Sequence, residues 1–160
     1  HNAPNVEVAL RIQYLDSIDT QPVSIDSGDL AWEESVTKSF PQALRVSQQA
    51  ALLKAAVVSS RKTYKWVVYV DAGSKGADIV AAKGGVPTYV GATGSGLTDS
   101  MLYNIVNAMH RDGLKPGDVS VKLMGEGASD LTLSMKRFFE EVEVLGGDDS
   151  AMHGLKLIYE

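Results

Sequence analysis

Apolar and polar residues alternate along two stretches of the chain, and such alternation predicts strands with one buried face. These stretches are residues 6–15 and residues 119–123. Residues 65–71 are almost all apolar and β-branched or aromatic, which is typical of a central strand buried on both faces. Two further short strands are predicted at residues 86–90 and 155–159.

Apolar residues at steps of three and four predict three helices. They cover residues 40–60, 97–112 and 129–145. Residues 75–83 fit either a short helix that ends at the following glycine pair or the second strand of a hairpin.

Residues 16–38 are polar and acidic, and we interpret them as a long connection with one short element around residues 30–36. The next helix is expected to begin near residue 40, because Ser39 and Gln42 have the spacing of a capping box.

Helices and strands alternate from residue 40 onward, which favours a three-layer α/β/α sandwich. The sheet is expected to be largely parallel, with about five strands and mixed edges. The first and last strands of the chain are predicted to form those edges, because each has a polar face. A length of 160 residues fits a single domain, which we assign to residues 1–160.

The composition, with 44% apolar and 22% charged residues, is that of an ordinary soluble protein. No apolar run reaches the roughly 18 residues of a membrane span, and no signal peptide is recognisable, so the cytoplasm is the default expectation. The chain begins with His1 rather than Met, which leaves the native N-terminus open. The absence of cysteine excludes disulfides, thiolate nucleophiles and zinc–sulfur sites.

Charge is distributed unevenly along the chain. Residues 1–37 carry a net charge of −6, residues 38–83 carry +6 and residues 84–160 carry −5, which sum to −5. An acidic protein does not favour nucleic acid, because phosphate contacts need cations. Nucleic-acid binding is therefore expected only if the lysines and arginines of residues 54–83 form a local patch. The favoured interpretation is that these side chains are scattered, solvated surface positions.

The segment from Tyr89 to Ser100 predicts a strand, a glycine-rich turn and the start of a helix. Such a turn exposes backbone N–H groups at a helix N-terminus and can hold a phosphate. Residues 91–96 resemble dinucleotide-binding loops, although they lack a Walker lysine and do not follow the first strand of the fold. A simple tight turn is the alternative. The candidate ligand-binding residues are Gly91, Thr93, Gly94, Ser95, Gly96 and Thr98.

Residues 70–76 (Val-Asp-Ala-Gly-Ser-Lys-Gly) end the predicted central strand. Asp71, Gly73, Ser74 and Gly76 resemble the first phosphate loop of the apyrase and actin-like ATPase families. They also resemble the first active-site strand of ribonuclease-H-like nucleases, so a ribonuclease-H-like α/β fold is the alternative architecture. In both families the resemblance implies an aspartate that holds a metal ion or positions water, and a glycine that admits phosphate. Without such a role, Asp71 would cap the following turn.

Residues 125–129 (Gly-Glu-Gly-Ala-Ser) resemble the second phosphate loop of those ATPases, with Met124 where that family has an aspartate. In the nuclease pattern, Met101 stands roughly where the helix presents a glutamate. Glu126 is the candidate second carboxylate. Asp71 and Glu126 are therefore the predicted metal ligands, with Mg²⁺ as the possible ion.

Two functions follow as hypotheses, and the sequence leaves open whether the protein is an enzyme, because no nucleophile–base pair can be named. The first is binding of a nucleotide or another phosphate-bearing ligand at a glycine-rich edge of the sheet. The second is a non-catalytic assembly or interaction subunit of a virus particle or larger complex, with self- or hetero-association through edge strands. A degenerate ribonuclease-H-like nuclease is a third alternative. Nothing in the sequence indicates binding to a membrane.

Overall fold

The computed structural model describes residues 8–14, 23–43, 46–94, 98–149, 153–154 and 156–157. Two short 3₁₀ turns accompany the main elements. No described helix combines the length and hydropathy needed to cross a membrane. The main elements are β1 (Val8–Tyr14), β2 (Val23–Asp29), α1 (Leu30–Ser39), α2 (Gln48–Ser60), β3 (Trp66–Gly73), β4 (Gly76–Lys83), β5 (Val86–Gly94), α3 (Thr98–Arg111), β6 (Val119–Met124), α4 (Ala128–Lys136) and β7 (Glu141–Val144).

A five-stranded mixed sheet with the order β5-β4-β3-β6-β7 organises the described part of the chain. Strand β4 is antiparallel to both of its neighbours, whereas β3, β6 and β7 are mutually parallel. Four of the five strands therefore run in the same direction. Helix α2 packs on one face, and α3 and α4 pack on the other. The predicted three-layer α/β/α class is confirmed.

The central strand β3 is buried on both faces, as its composition predicts. Trp66, Val68 and Val70 pack with α3 and α4, whereas Val67 and Tyr69 pack with α2. Each large apolar side chain buried in this way contributes about 1.5–3 kcal/mol to folding. Strand β3 thus holds the two halves of the core together.

Residues 75–83 form the hairpin alternative rather than a helix. Strand β3 reverses through Gly73–Gly76 into β4, and the pairing runs from Gly73 opposite Gly76 to Val67 opposite Ala82. Ile79 packs toward α3 and α4, while Val80 packs toward α2. This period of two matches a strand that is covered on both faces.

The predicted start of the helix at residues 40–60 is wrong. Ser39 is the last residue of α1, and α2 begins at Gln48. The cap of α2 is Ser47, whose side chain accepts a hydrogen bond from the Ala50 amide at 3.4 Å. The short element expected around residues 30–36 is confirmed as α1, but β2 also lies within the stretch interpreted as a connection.

The helix predicted over residues 129–145 is also too long. Helix α4 ends at Lys136, and Glu141–Val144 form the parallel edge strand β7. Phe139, Val142 and Leu145 match a helical spacing, but residues 141–144 alternate Glu and Val, which is a strand period. Pairing with β6 satisfies the backbone of this segment and decides between the two periods.

Neither terminal strand forms an edge of the main sheet as predicted. Strand β1 pairs antiparallel with β2 in a separate two-stranded sheet. The strand predicted at residues 155–159 is wrong at its described residues, because Lys156 is helical and Leu157 lies in a turn. Leu157 packs into the core under α2.

The hydroxyl of Ser60 joins the end of α2 to the β4–β5 turn. It accepts from the Gly85 amide and donates to the Val57 carbonyl, each at 2.9 Å. We expect Ser60→Ala to lower the free energy of unfolding by about 1–3 kcal/mol, because the buried Gly85 amide loses its partner. Urea denaturation provides the measurement. Exposed Ser129 is the control, and Ser129→Ala should change stability by less than about 0.5 kcal/mol. Equal effects of the two substitutions would contradict this account.

Candidate functional site

The strand register brings three chain segments to one end of the sheet. Asp71 lies opposite Asp78 on β4 and beside Met124 on β6, and Asp78 in turn lies opposite Ala92 on β5. The carboxyl ends of β3, β5 and β6 therefore meet at one edge. We call this edge the carboxyl rim and define it as residues 71–78, 91–94 and 124–128. Ligands of open α/β sheets bind at such an edge.

Two glycine-containing turns form most of the carboxyl rim. The hairpin turn Gly73–Gly76 presents Ser74 and Lys75 to solvent. The turn after β6 begins at Gly125, which has φ +91°. A side chain at Gly125 would collide with the Ala72 carbonyl and with Oδ1 of Asp71. Glycine is therefore required for the close approach of this turn to β3.

The turn after β6 is also tied to β3 by a hydrogen bond. The Gly127 amide donates to the Ala72 carbonyl at 2.9 Å. Gly127 is the N-cap of α4, so the N-terminus of that helix opens at the carboxyl rim. A helix N-terminus carries a partial positive charge that favours anions.

The first two residues of α2 hold the two aspartates of the rim. Gln48 Nε2 donates to Oδ2 of Asp71 at 2.5 Å, and Gln49 Nε2 donates to Oδ1 of Asp78 at 2.7 Å. Gly154 packs against the same Asp71 oxygen. The carboxylate of Asp71 is thus enclosed by the start of α2, the β6–α4 turn and the C-terminal helical residues.

This enclosure changes the protonation of Asp71. Burial raises the pKa of its carboxyl above the ordinary value, and the nearby charge of Asp78 raises the pKa further. The hydrogen bond from Gln48 acts in the opposite direction because it stabilises the ionised form. Two carboxylates directly opposite each other on neighbouring strands also repel. The protein therefore keeps Asp71 at a cost to stability, as is common at functional sites.

An open cleft of 320 Å³ lies at the β4–β5 side of the carboxyl rim. This volume lies within the range of small-molecule sites. The hydroxyl of Thr93 is buried and has no hydrogen-bond partner in the described part of the chain. The residues that line the cleft are Asp71, Gly73, Gly76, Ala77, Asp78, Ala92 and Thr93.

The glycine-rich segment differs from the predicted turn. Gly91, Thr93 and Gly94 lie within β5, because their pairing with β4 continues to Gly76. The strand predicted at residues 86–90 is therefore longer than expected, and the turn begins only after residue 94. Ser95 and Gly96 lie outside the described residues, and Thr98 is the first residue of α3. A side chain built on Gly94 would meet no described residue within 4 Å.

The predicted metal ligands both lie on the carboxyl rim, but their surroundings differ. Asp71 is half-buried and Glu126 is exposed. The carboxylate that faces Asp71 across the strands is Asp78, which the sequence analysis did not single out. No group of three or more His, Asp or Glu side chains in the described ranges could hold a metal ion. The Mg²⁺ site at Asp71 and Glu126 stays a prediction.

The hairpin register is the signal that could have identified Asp78. Once residues 73–76 are taken as a two-strand turn, counting outward from Gly73 and Gly76 places Asp71 opposite Asp78. Gln48 and Gln49 carry no comparable signal, because their contacts span 23 and 29 residues.

The two positions where the family resemblances call for carboxylates are apolar and buried. Met124 is fully buried, and 6% of Met101 is exposed. Both methionines pack in the core, on opposite faces of the sheet. These positions contribute apolar packing and no charge.

Comparisons with known protein families and with curated proteins find no match. A crystal structure from Bacteroides thetaiotaomicron, described as a protein with actin-like ATPase fold and unknown function, matches with a TM-score of 0.81 at 15% identity. The match covers 99% of this chain and 60% of that chain. The described part of this chain shares that fold.

A second solved structure, described as a PilM-PilN type IV pilus biogenesis complex, matches with a TM-score of 0.53 at 15% identity. That match covers 96% of this chain and 59% of the other. The chain therefore spans about three fifths of each of these two structures. At this level of identity the likeness supports the three-layer α/β fold alone.

The raised pKa of Asp71 has a consequence for stability. The folded protein binds the Asp71 proton more tightly than the unfolded chain does, so stability falls as the pH rises from the ordinary value of 3.8 through the raised pKa. We expect Asp71→Asn to be more stable than the wild type at pH 7 and to lose this advantage below about pH 4. Urea denaturation in EDTA at both pH values measures the difference.

Asp130, which is exposed in the first turn of α4, provides the matched control. Asp130→Asn should give no gain in stability at pH 7, because its carboxylate is not desolvated. A destabilised Asp71→Asn variant at pH 7, or an equal gain at both pH values, would contradict the interpretation of Asp71.

Proposed function

We propose that this chain binds a phosphate-bearing ligand, such as a nucleotide, at the carboxyl rim. The observation that carries the proposal is the register of β3, which brings the turns 73–76 and 125–127 to the same edge of the sheet. Gly73 and Gly76 of the first turn line the 320 Å³ cleft at that edge. Both turns contain glycine, which allows a ligand to approach the backbone closely. The likeness of the fold to a protein with actin-like ATPase fold supports the same ligand class.

The charges at the rim favour a phosphate that arrives with a cation. Lys75 is exposed in the first turn, and the N-terminus of α4 opens at the second. Asp71 and Asp78 would repel a bare phosphate, and a divalent cation bound to the ligand offsets that repulsion. The sequence predicts that this cation is Mg²⁺, held by Asp71 and Glu126 together with water.

Binding without hydrolysis is the activity that these residues favour. Phosphoryl transfer in this setting needs acidic groups that hold a metal or orient water. Met124 and Met101 stand where the two families resembled have carboxylates, and both are buried. The rim therefore has the parts of a binding site but lacks part of the catalytic set that the resemblances imply.

A second candidate function is that of a subunit in a larger assembly. The structural likeness to a PilM-PilN complex supports it, because that protein is described as part of a biogenesis complex. A bound nucleotide is compatible with such a role, so the two candidates do not exclude each other. Association with a partner protein is tested separately from ligand binding.

Thermal unfolding with and without ligand tests the proposed function. A nucleoside triphosphate or polyphosphate with Mg²⁺, present at 100 times its dissociation constant, should stabilise the folded protein by about 2.7 kcal/mol. Omitting Mg²⁺ should reduce the shift, and phosphate release should stay at the background rate. The absence of a shift with every phosphate compound would exclude the proposal.

Two lysines provide a matched pair of variants for locating the ligand. Lys75 and Lys83 are both exposed and lie at opposite ends of β4. Lys75→Glu should weaken ligand binding by about tenfold, because it replaces a cation at the rim with an anion. Lys83→Glu should leave binding unchanged. Equal loss in the two variants would place the ligand away from the rim.

Gly94 allows a steric test of the same site. A side chain at this position meets no described residue within 4 Å, so Gly94→Val should fold normally and block ligand that approaches the end of β5. Isothermal titration calorimetry measures the affinity, and circular dichroism confirms the fold. Wild-type affinity in a folded Gly94→Val variant would place the ligand elsewhere on the rim or off it.

A further inference from the structure

A groove with a volume of 280 Å³ lies along one flank of α2, where the helix meets β3 and Leu157, separate from the cleft at the carboxyl rim. Ala51, Ala55 and Val58 lie on one face of the helix, and Leu157 and Tyr69 contribute the rest of the apolar surface. We call this feature the α2 groove. Val58 is 40% exposed, and a partner seated in the groove would cover it.

Two lysines border the α2 groove. Lys54 and Lys62 lie eight positions apart on α2 and the turn after it, and both line the groove. Neither forms an ion pair with any described residue. An apolar floor between two available cations suits an apolar side chain that is flanked by carboxylates.

Helix α1 offers a side chain of this kind. It buries none of its residues, and 62% of Trp32 is exposed. Glu33 and Glu34 directly follow Trp32, and Phe40 at the end of the helix is 66% exposed. A tryptophan with this exposed fraction is unusual on a protein surface that contacts no partner.

We propose that α1 of one copy of this chain seats Trp32 in the α2 groove of a second copy. The groove volume accommodates one indole ring. The wider charge distribution agrees, because residues 1–37 carry −6 and residues 38–83 carry +6. Within a single chain α1 packs with β1 and β2 while Trp32 remains exposed, so the occupant comes from another molecule.

This contact joins two different surfaces, so it is heterologous. Such contacts form rings when the rotation closes and open chains when it does not. A helix of ten residues buries less area than a standard interface, so the association is weak and depends on protein concentration. The contact goes beyond ligand binding at the carboxyl rim and does not require it.

Tryptophan fluorescence provides the first measurement. The chain has two tryptophans, and Trp66 is only 1% exposed, so a change in solvent exposure reports mainly on Trp32. We expect a blue shift and protection from iodide quenching as the ligand-free protein is concentrated, together with larger species in analytical ultracentrifugation. A blue shift that does not depend on concentration would place Trp32 within its own chain and overturn the proposal.

Removal of exposed aromatic side chains gives a matched comparison. Trp32→Ala should abolish the larger species, whereas Tyr103→Ala should not, although Tyr103 is 68% exposed on α3. Persistence of the larger species in Trp32→Ala would overturn the proposal. A monomer at every concentration of the wild type would do so as well.

Charge exchange tests the pairing itself. The double variant Lys54→Glu/Lys62→Glu should weaken association by at least about tenfold, and Glu34→Lys should weaken it as well. Mixing these two proteins should restore association, because the unaltered α1 of the double variant then meets the unaltered groove of the Glu34→Lys variant. Lys136→Glu, on the exposed side of α4, is the control and should have no effect. Failure of the mixture to associate would overturn the proposal even if each variant alone is monomeric.

The outcome is independent of the proposed function. Lys54 and Lys62 do not line the cleft at the rim, so charge reversal there should leave the thermal shift with a nucleotide unchanged. Loss of association with intact ligand binding supports the groove contact alone. Loss of ligand binding with intact association would count against the proposed ligand site at the rim and leave the groove contact unaffected.

Discussion

Strand β3 is hydrogen-bonded on both sides, antiparallel to β4 and parallel to β6, and the rest of the described structure depends on this pairing. Its two buried faces fix the register, because a slip of one residue would turn Val68 and Val70 toward α2 and disrupt both core clusters. The same register places Asp71 opposite Asp78 and beside Met124. The carboxyl rim is therefore a consequence of how the core packs.

Asp71 and Met124 are neighbours in the sheet with opposite effects on stability. The methionine is fully buried and adds apolar contacts. The aspartate is enclosed, its pKa is raised by desolvation, and it faces a second carboxylate, so its ionised form opposes folding. One position of this edge therefore keeps a carboxylate that opposes folding, while the neighbouring position contributes only apolar packing.

Helix α2 connects the three features on which the proposals rest. Its small residues, such as Ala50 and Ala56, let it pack closely on the sheet. Its first two residues, Gln48 and Gln49, hold the aspartates of the rim. Its flank forms one side of the α2 groove. A single helix thus contacts the core, the candidate ligand site and the candidate interface.

The sequence by itself determined the elements whose signal is local. The composition of residues 65–71 indicated a buried strand, and the alternation of residues 119–123 indicated a strand, although it predicted one polar face where the structure buries both. The succession of strands and helices indicated the three-layer class. The resemblance of residues 71–76 to a phosphate loop pointed to one side of the rim. Tertiary structure alone decided that Glu141–Val144 and Gly91–Gly94 belong to strands, and it selected the hairpin that pairs Asp71 with Asp78. Each of these depends on a partner strand, and strand pairing satisfies backbone groups that no local pattern of side chains can account for.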